Sequence, residues 1–219
     1  ISMASHEFRT PLAAILSSSD LIKMYLKENI NPNIAAHLSQ IENSVTSMTL
    51  LLDEVLNLNR TERGIIEFNP KEINLFRLCS VVIENAKSLS KNTQTIEFDF
   101  KLKNKFVEAD HTLLEHVLHN VMSNAVKYSP ENGKILFIVE EINNNLEIKI
   151  TDNGIGILKE EIKNIFEPFF RGSNVRYIQG TGMGLSVVKK YIEIHRGNIT
   201  VESEPGSGTT VTLICPLKY

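Results

Sequence analysis

The sequence predicts a chain in two parts, an all-α helical hairpin followed by an α+β layer of helices on a sheet. Three observations predict it. Apolar residues recur at helical spacing through residues 1 to about 63, a stretch without glycine. The first glycine is Gly64, and beyond it helical stretches mix with stretches of period two. The length of 219 residues, 42% hydrophobic and 22% charged, suits one large or two modest soluble domains.

Leu12, Ile15, Leu16, Ile22 and Leu26 predict a helix over about 4–28. The polar run Glu28 to Asn33 reads as a turn, with Asn33 as N-cap of the next helix. In that helix Ile34, Leu38, Ile41, Val45, Met48, Leu52 and Val55 follow spacings of four and three, a heptad seam. A two-helix hairpin cannot enclose a core. It needs the rest of its own chain or, more simply, a second copy, which would give a dimeric four-helix bundle.

A domain over 1–63, a linker over 64–70 and a second domain over 71–219 follow from this pattern. In the second domain Leu75 to Lys91, His111 to Lys127, Lys159 to Ile165 and Gly182 to His195 read as helices. Thr95 to Phe100, Lys134 to Glu141, Leu146 to Thr151, Asn198 to Glu202 and Thr209 to Ile214 read as strands of one sheet, with hairpins at Asn143–Asn145 and Pro205–Gly208. The net charge of -3 argues against a nucleic-acid or anionic-membrane surface. No apolar run nears the roughly 18 to 20 residues of a membrane span. Cys79 and Cys215 have neither metal-ligand spacing nor a disulfide framework, and read as core residues of a reducing compartment.

Three clusters carry polar chemistry. His6 and Thr10 share a face of the first helix, with Glu7 beside His6. A neutral imidazole is a competent nucleophile near pH 7, and a nearby carboxylate can orient it and take its proton. Alone, a His-Glu pair on a helix equally fits a solvated surface, and Thr10 stands where a zinc motif would need a second His. The loops Asp152-Asn153-Gly154-Ile155-Gly156-Ile157 and Gly180-Thr181-Gly182-Met183-Gly184-Leu185 could let backbone N–H groups approach a phosphate, the second at a helix start. Each alone also fits a tight turn. Asn120, Asn124 and Lys127 fall on one helical stripe that ends at Tyr128. Amide oxygens there can help hold Mg²⁺, and the Lys can neutralise phosphate.

Taken in order, these clusters resemble sensor histidine kinases of two-component systems. Ser5 to Leu12 resembles their H box, Asn120 to Pro130 their N box, Asp152 to Ile157 their first glycine box, Ile165 to Arg171 their F box, and Gly180 to Leu185 their second glycine box. His116 and Met183 stand where many relatives have Gln and Leu. Neither departure removes a group the mechanism needs.

The resemblance implies a dimerisation and phosphoacceptor hairpin, then an ATP-binding two-layer α+β sandwich of the histidine kinase/gyrase type. It implies Mg-ATP-dependent phosphorylation of His6, activated by Glu7, and transfer to an aspartate on a response-regulator receiver domain. Glu7 and Thr10 would also serve a phosphatase activity toward that regulator. Asn120 and Asn124 would position Mg²⁺, Lys127 would meet the phosphates, Tyr128 would pack near the adenine, and Asp152 would accept the adenine amino group. Gly154, Gly156, Ile157, Gly180, Thr181, Gly182, Gly184 and Leu185 would shape the pocket and phosphate loop. Arg171 to Gln179 would form a lid from which Arg171, with Arg176, stabilises transferring charge. The resemblance implies a homodimer through the hairpin and a cytoplasmic fragment, compatible with a parent anchored in the inner membrane. A phosphatase or pseudokinase scaffold and an ATPase clamp are the competing readings.

Overall fold

The computed structural model describes residues 2–26, 31–42, 44–45, 48–49, 66–90, 93–175, 177–178 and 180–218, with backbone only at 2–9 and 89. The turn residues Glu28 to Ile30, the seam positions Leu52 and Val55, the connector from Arg63 to Ile65, and Arg176 and Gln179 lie outside the described residues. The chain divides into two compact units, Ile1–Ile65 and Ile66–Tyr219.

In the first unit, α1 (Ser2–Leu26) continues through Pro11. A second helix, α2, begins at residue 32 and is described over 32–42, 44–45 and 48–49. Its cap is Asn31, not Asn33. The Asn31 side-chain oxygen accepts the Asn33 N–H at 2.9 Å, and Pro32 takes the first helical position, where its missing donor costs nothing. The heptad seam splits into two faces. Leu38 and Val45 are buried, whereas Ile34, Ile41 and Met48 are exposed. One polar clasp joins the helices: Glu42 accepts Ser19 Oγ at 3.0 Å and Lys23 Nζ at 2.6 Å. Lys23 holds the Glu42 carboxyl below its usual range.

In the second unit, β1 (Lys71–Asn74) leads directly into α3 (Leu75–Leu89), capped by Asn74. Then follow β2 (Thr95–Phe100), β3 (Phe106–Ala109), α4 (His111–Tyr128), β4 (Lys134–Ile142), β5 (Asn145–Asp152), α5 (Gly184–Ile194), β6 (Asn198–Glu204) and β7 (Gly208–Pro216). The strands form two sheets rather than the one expected. A short antiparallel pair joins β1 and β3, and a five-stranded sheet runs β2-β4-β5-β7-β6. Among the described residues only β2 and β4 pair in parallel, which the hairpin pattern did not predict.

Alternation places the core. Ile135, Phe137 and Val139 of β4, Leu146, Ile148 and Ile150 of β5, and Val211, Leu213 and Cys215 of β7 are buried. They join the buried faces of α3, α4 and α5 in one core, with α4 packed between the other two helices. The opposite face carries Glu147, Lys149, Thr151, Thr210 and Thr212, as expected of an antiparallel sheet with one solvated side. Both cysteines are buried free thiols, pushed up to about 12 by burial. Among the described residues no helix is long and apolar enough to cross a membrane.

Two expected helices are corrected. Lys159 to Ile165 forms only one 3₁₀ turn, Ile162–Asn164. Its one buried apolar anchor is Ile165, and Pro168 disfavours helix at Glu167. The helix expected from Gly182 starts at Gly184, because Gly182 has φ +75, outside the helical region.

A buried histidine ties the start of this unit to its helices. His195 Nδ1 lies 2.7 Å from the Tyr191 carbonyl, and its Nε2 accepts the Asp110 N–H at 3.2 Å. The first contact needs the proton on Nδ1 and the second needs Nε2 bare, so the network selects one neutral tautomer. Asp110 caps α4 through Leu113 N–H at 3.1 Å and also accepts the Asn69 N–H at 3.0 Å. Phe68 stacks edge-on against the imidazole.

Two predictions follow from this packing. Burial holds His195 below its ordinary pKa, so the folded unit binds fewer protons there than the unfolded chain. Stability should therefore fall as pH drops below about 6.5. Asp152 is shifted the opposite way, so the comparison belongs in an Asp152→Asn background. There, His195→Phe should cost about 1–3 kcal/mol at pH 7 by stranding the Asp110 N–H, and should flatten the loss between pH 7 and 5 in urea unfolding. An unchanged pH slope would contradict the assignment. The second concerns glycines. A Cβ on Gly156 (φ +66) would lie 2.0 Å from the Glu204 carbonyl oxygen, whereas one on Gly206 (φ +77) would meet nothing within 4 Å. Gly206→Ala should cost only the about 1–2 kcal/mol of left-handed strain. Gly156→Ala should cost clearly more, and equal losses in melting temperature would refute the close approach.

Candidate functional site

The candidate site begins with Asp152. Leu146, Ile148 and Ile150 face the core from β5, and Asp152 is the next residue of the same row. The strand therefore carries a carboxylate into an apolar setting, where it is 9% exposed. Burial pushes its carboxyl up to about 6, against the lowering effect of the Gly154 and Thr209 backbone N–H groups. Oδ1 accepts the Gly154 N–H at 2.8 Å, so the loop turns back over its own acid.

The loop after Asp152 is fastened on two sides. Ile155 N–H donates to the Tyr128 carbonyl at 3.2 Å, which ties it to the end of α4. Ile157 N–H donates to Ser203 Oγ at 2.9 Å, and Gly206 N–H to the Ile155 carbonyl at 2.8 Å, which tie it to the β6–β7 hairpin. A Cβ on Gly154 would lie 2.5 Å from the Tyr128 carbonyl oxygen, so the backbones could not approach this closely with any other residue.

The α4 stripe faces the second glycine loop. A Cβ on Gly180 would lie 2.6 Å from Lys127 Nζ, and one on Gly184 would lie 2.7 Å from Asn120 Oδ1. Lys127 Nζ also sits 4.9 Å from the centre of the Tyr128 ring. Asn120 Nδ2 donates to the His116 carbonyl, which leaves its Oδ1 turned toward the loop. Asn124 lies half-buried on the same helix. Thr181 Oγ1 accepts the Met183 N–H at 3.2 Å, and fully buried Met183 anchors the loop. Met183 is the N-cap of α5 and offers no side-chain cap. The N–H groups of the first turn, where Gly184 and Leu185 lie, are thus left for an anion. The donor set fits a nucleotide with its metal: a buried acid, glycine approaches that a Cβ would fill, a lysine, and two amides on one face.

Thus Asn120, Lys127, Tyr128, Asp152, Gly154, Gly156, Ile157, Gly180, Thr181, Gly182 and Gly184 gather around one loop cluster. The Arg171 guanidinium is engaged by its own segment: it donates to the carbonyls of Val175, at 2.8 Å, and Ile178, and so closes that segment. His6, Glu7 and Thr10 lie on α1 of the first unit. Thr10 is exposed, and the side chains of His6 and Glu7 lie outside the described residues. Ser203 and Asn174, whose amide donates to the Gly156 carbonyl at 2.9 Å, fasten the first glycine loop and carry no sequence signal of that role. Asp152 does carry one, as the fourth residue of an apolar period-two row.

Two families match the chain. Residues 1–64 match the "His Kinase A (phospho-acceptor) domain", and residues 109–219 match the "Histidine kinase-, DNA gyrase B-, and HSP90-like ATPase". The chain is 32% identical to Sensor histidine kinase WalK of Bacillus subtilis, matching along 100% of itself and 36% of WalK. It is 31% identical to Sensor protein RprX of Bacteroides fragilis, over 99% of itself and 43% of RprX. The chain therefore spans less than half the length of these relatives. Among solved structures, full-length ShkA in complex with AMPPNP superposes with a TM-score of 0.81 at 24% identity, over 99% of this chain and 45% of that one, a likeness of fold. The catalytic domain of histidine kinase ThkA is 32% identical with a TM-score of 0.58, over 70% of this chain and 97% of that one. A phosphoacceptor-type helical unit followed by an ATPase-type sandwich makes this chain a member of the sensor histidine kinase family.

Proposed function

We propose that the chain is an ATP-dependent protein-histidine kinase that phosphorylates His6 and passes the group to an aspartate of a response-regulator receiver domain. The observation that carries this reading is the buried Asp152 carboxylate in the first glycine loop, with Lys127 set against a second glycine loop that opens an uncapped helix. That combination suits a purine amino group at one end and a polyphosphate at the other. The helix with His6, Glu7 and Thr10 supplies the acceptor.

In this account residues 1–63 form the phosphoacceptor domain, 64–70 the linker and 71–219 the ATP-binding domain. Asp152 accepts the adenine amino group, and Tyr128 packs near the ring. Gly154, Gly156 and Ile157 shape the base end. Lys127, the Gly180-Thr181-Gly182 turn and the N–H groups at Gly184 and Leu185 hold the phosphates. Asn120 and Asn124 would hold Mg²⁺, whose charge neutralises those phosphates. One imidazole nitrogen of His6 bonds to the γ-phosphorus, the bond from that phosphorus to the bridging oxygen breaks, and ADP leaves. Glu7 takes the imidazole proton. Arg171 supports transfer by ordering the lid and stabilising charge there. Glu7 and Thr10 also serve dephosphorylation of the regulator.

The exposed half of the heptad seam supports a homodimer. Ile34, Ile41 and Met48, together with Ile15 and Ile22 on α1, leave an apolar stripe that a second copy would cover. The proposed receiver-domain partner is supported by one solved complex, in which histidine kinase ThkA is held with the response regulator protein TrrA. Action in the cytoplasm follows from that proposed partner.

Incubation with γ-labelled ATP and Mg²⁺ should yield an acid-labile, base-stable phosphoprotein. His6→Gln should abolish the label and keep nucleotide affinity, whereas Asp152→Ala should lower affinity at least tenfold. Label that persists in His6→Gln would overturn the assignment of the acceptor.

A further inference from the structure

Glu161 makes a contact that the phosphate chemistry does not use. It stands at the position before the short turn Ile162–Asn164, just beyond the first glycine loop, and makes no side-chain cap there. Its Oε1 accepts the backbone N–H of Ser173 at 3.0 Å. Ser173 opens the short turn Ser173–Val175, two residues after Arg171. The bond therefore joins the chain leaving the base end of the pocket to the start of the 171–179 segment. A second tether runs beside it, from Asn174 Nδ2 to the Gly156 carbonyl at 2.9 Å. The two Arg171 bonds fold the segment onto itself.

The other carboxylate oxygen is half of the argument. Glu161 Oε2 is shut off from solvent and has no hydrogen-bond partner among the described residues. A Cβ on Gly172 would lie 2.9 Å from that oxygen and 3.1 Å from Asn174 Oδ1. Two acceptor oxygens thus lie on one side of Gly172, and a methyl group there would push these side-chain ends aside. A carboxylate with one bonded and one stranded oxygen is a tether held against its own desolvation cost. Such a contact fixes a position without locking it.

We propose that Glu161 is a positioning residue of the nucleotide site: through the Ser173 N–H it sets where the 171–179 segment leaves the protein body, and so how that segment covers the nucleotide. This rests on reading 171–179 as the lid of the proposed ATP site. In this role Glu161 acts through Ser173, not on the reacting groups themselves.

Three variants test it. Glu161→Ala removes the acceptor. Glu161→Gln keeps an oxygen for Ser173 and puts an amide donor beside Asn174 Oδ1. Gly172→Ala crowds the contact from the other side. In nucleotide-free protein, amide exchange at Ser173 should rise about tenfold in Glu161→Ala, the loss of one hydrogen bond, and stay at or below the wild-type rate in Glu161→Gln. In autophosphorylation, Glu161→Ala and Gly172→Ala should raise KM for ATP several-fold with kcat changed less, and Glu161→Gln should restore KM. Unchanged Ser173 exchange in Glu161→Ala, or a Glu161→Gln variant as impaired as Glu161→Ala, overturns the role while ATP binding stands. If the wild-type chain binds no Mg-ATP, the role falls together with the functional reading, and Ser173 exchange then reports only a structural tether.

Discussion

One carboxylate occupies a place that the core pattern reserves for an aliphatic side chain. Asp152 completes the inward row of β5, and its burial raises its carboxyl toward neutrality. Much of the surrounding architecture is explained by that intrusion. Gly154 exists so that its N–H can fold back onto the acid while the Tyr128 carbonyl passes beside it. Gly208 (φ +103) has no room for a side chain, since a Cβ there would lie 2.0 Å from the Asp152 carbonyl oxygen. The sheet thus holds a buried carboxylate, met by the Gly154 and Thr209 N–H groups, at the edge of the core, and a further donor from a ligand is a natural complement.

The polyphosphate end is built by a different device. There α4 presents Asn120 and Lys127 to a loop whose glycines let backbone and side chain come within contact distance. Nothing but backbone caps α5, so the helix start keeps its field and its N–H groups for an anion. His195 and Asp110 fix α4 and α5 to each other at their far ends, in the core and away from the glycine loops. The division is physical. Rigid packing sets the distance between the two helices, and glycine loops adapt the mouth.

Sequence patterns reveal such features unequally. The period-two rows of β4, β5 and β7 and the apolar stripe of α4 are legible because one buried face repeats along each element. The four-residue strands β1 and β3 are too short to repeat, so only the fold exposes them. Parallel pairing of β2 with β4 depends on partners far apart in the chain, which local pattern does not encode. The glycine loops and the α4 stripe are visible as residue types at set spacing. Ser203, Asn174 and Glu161 are not, because a single polar side chain on a strand or turn looks the same whether it meets water or a loop N–H. Arg171 is recognisable as a cation beside a mobile-looking sequence, yet its partners are carbonyls of its own segment.

The claim that holds the account together is that Asp152 receives a donor from the nucleotide. A carboxyl at about 6 must fall when an amino group donates to its ionised form. Binding then expels a proton between about pH 5 and 6.5, and affinity climbs with pH over the same range. Calorimetry of nucleotide binding at pH 6, in buffers of different ionisation enthalpy, counts that proton, and the difference between wild type and Asp152→Asn cancels the titration of the phosphates. The account predicts release of about half a proton by wild type beyond that of Asp152→Asn. Equal proton counts for the two proteins, at comparable occupancy, would contradict it.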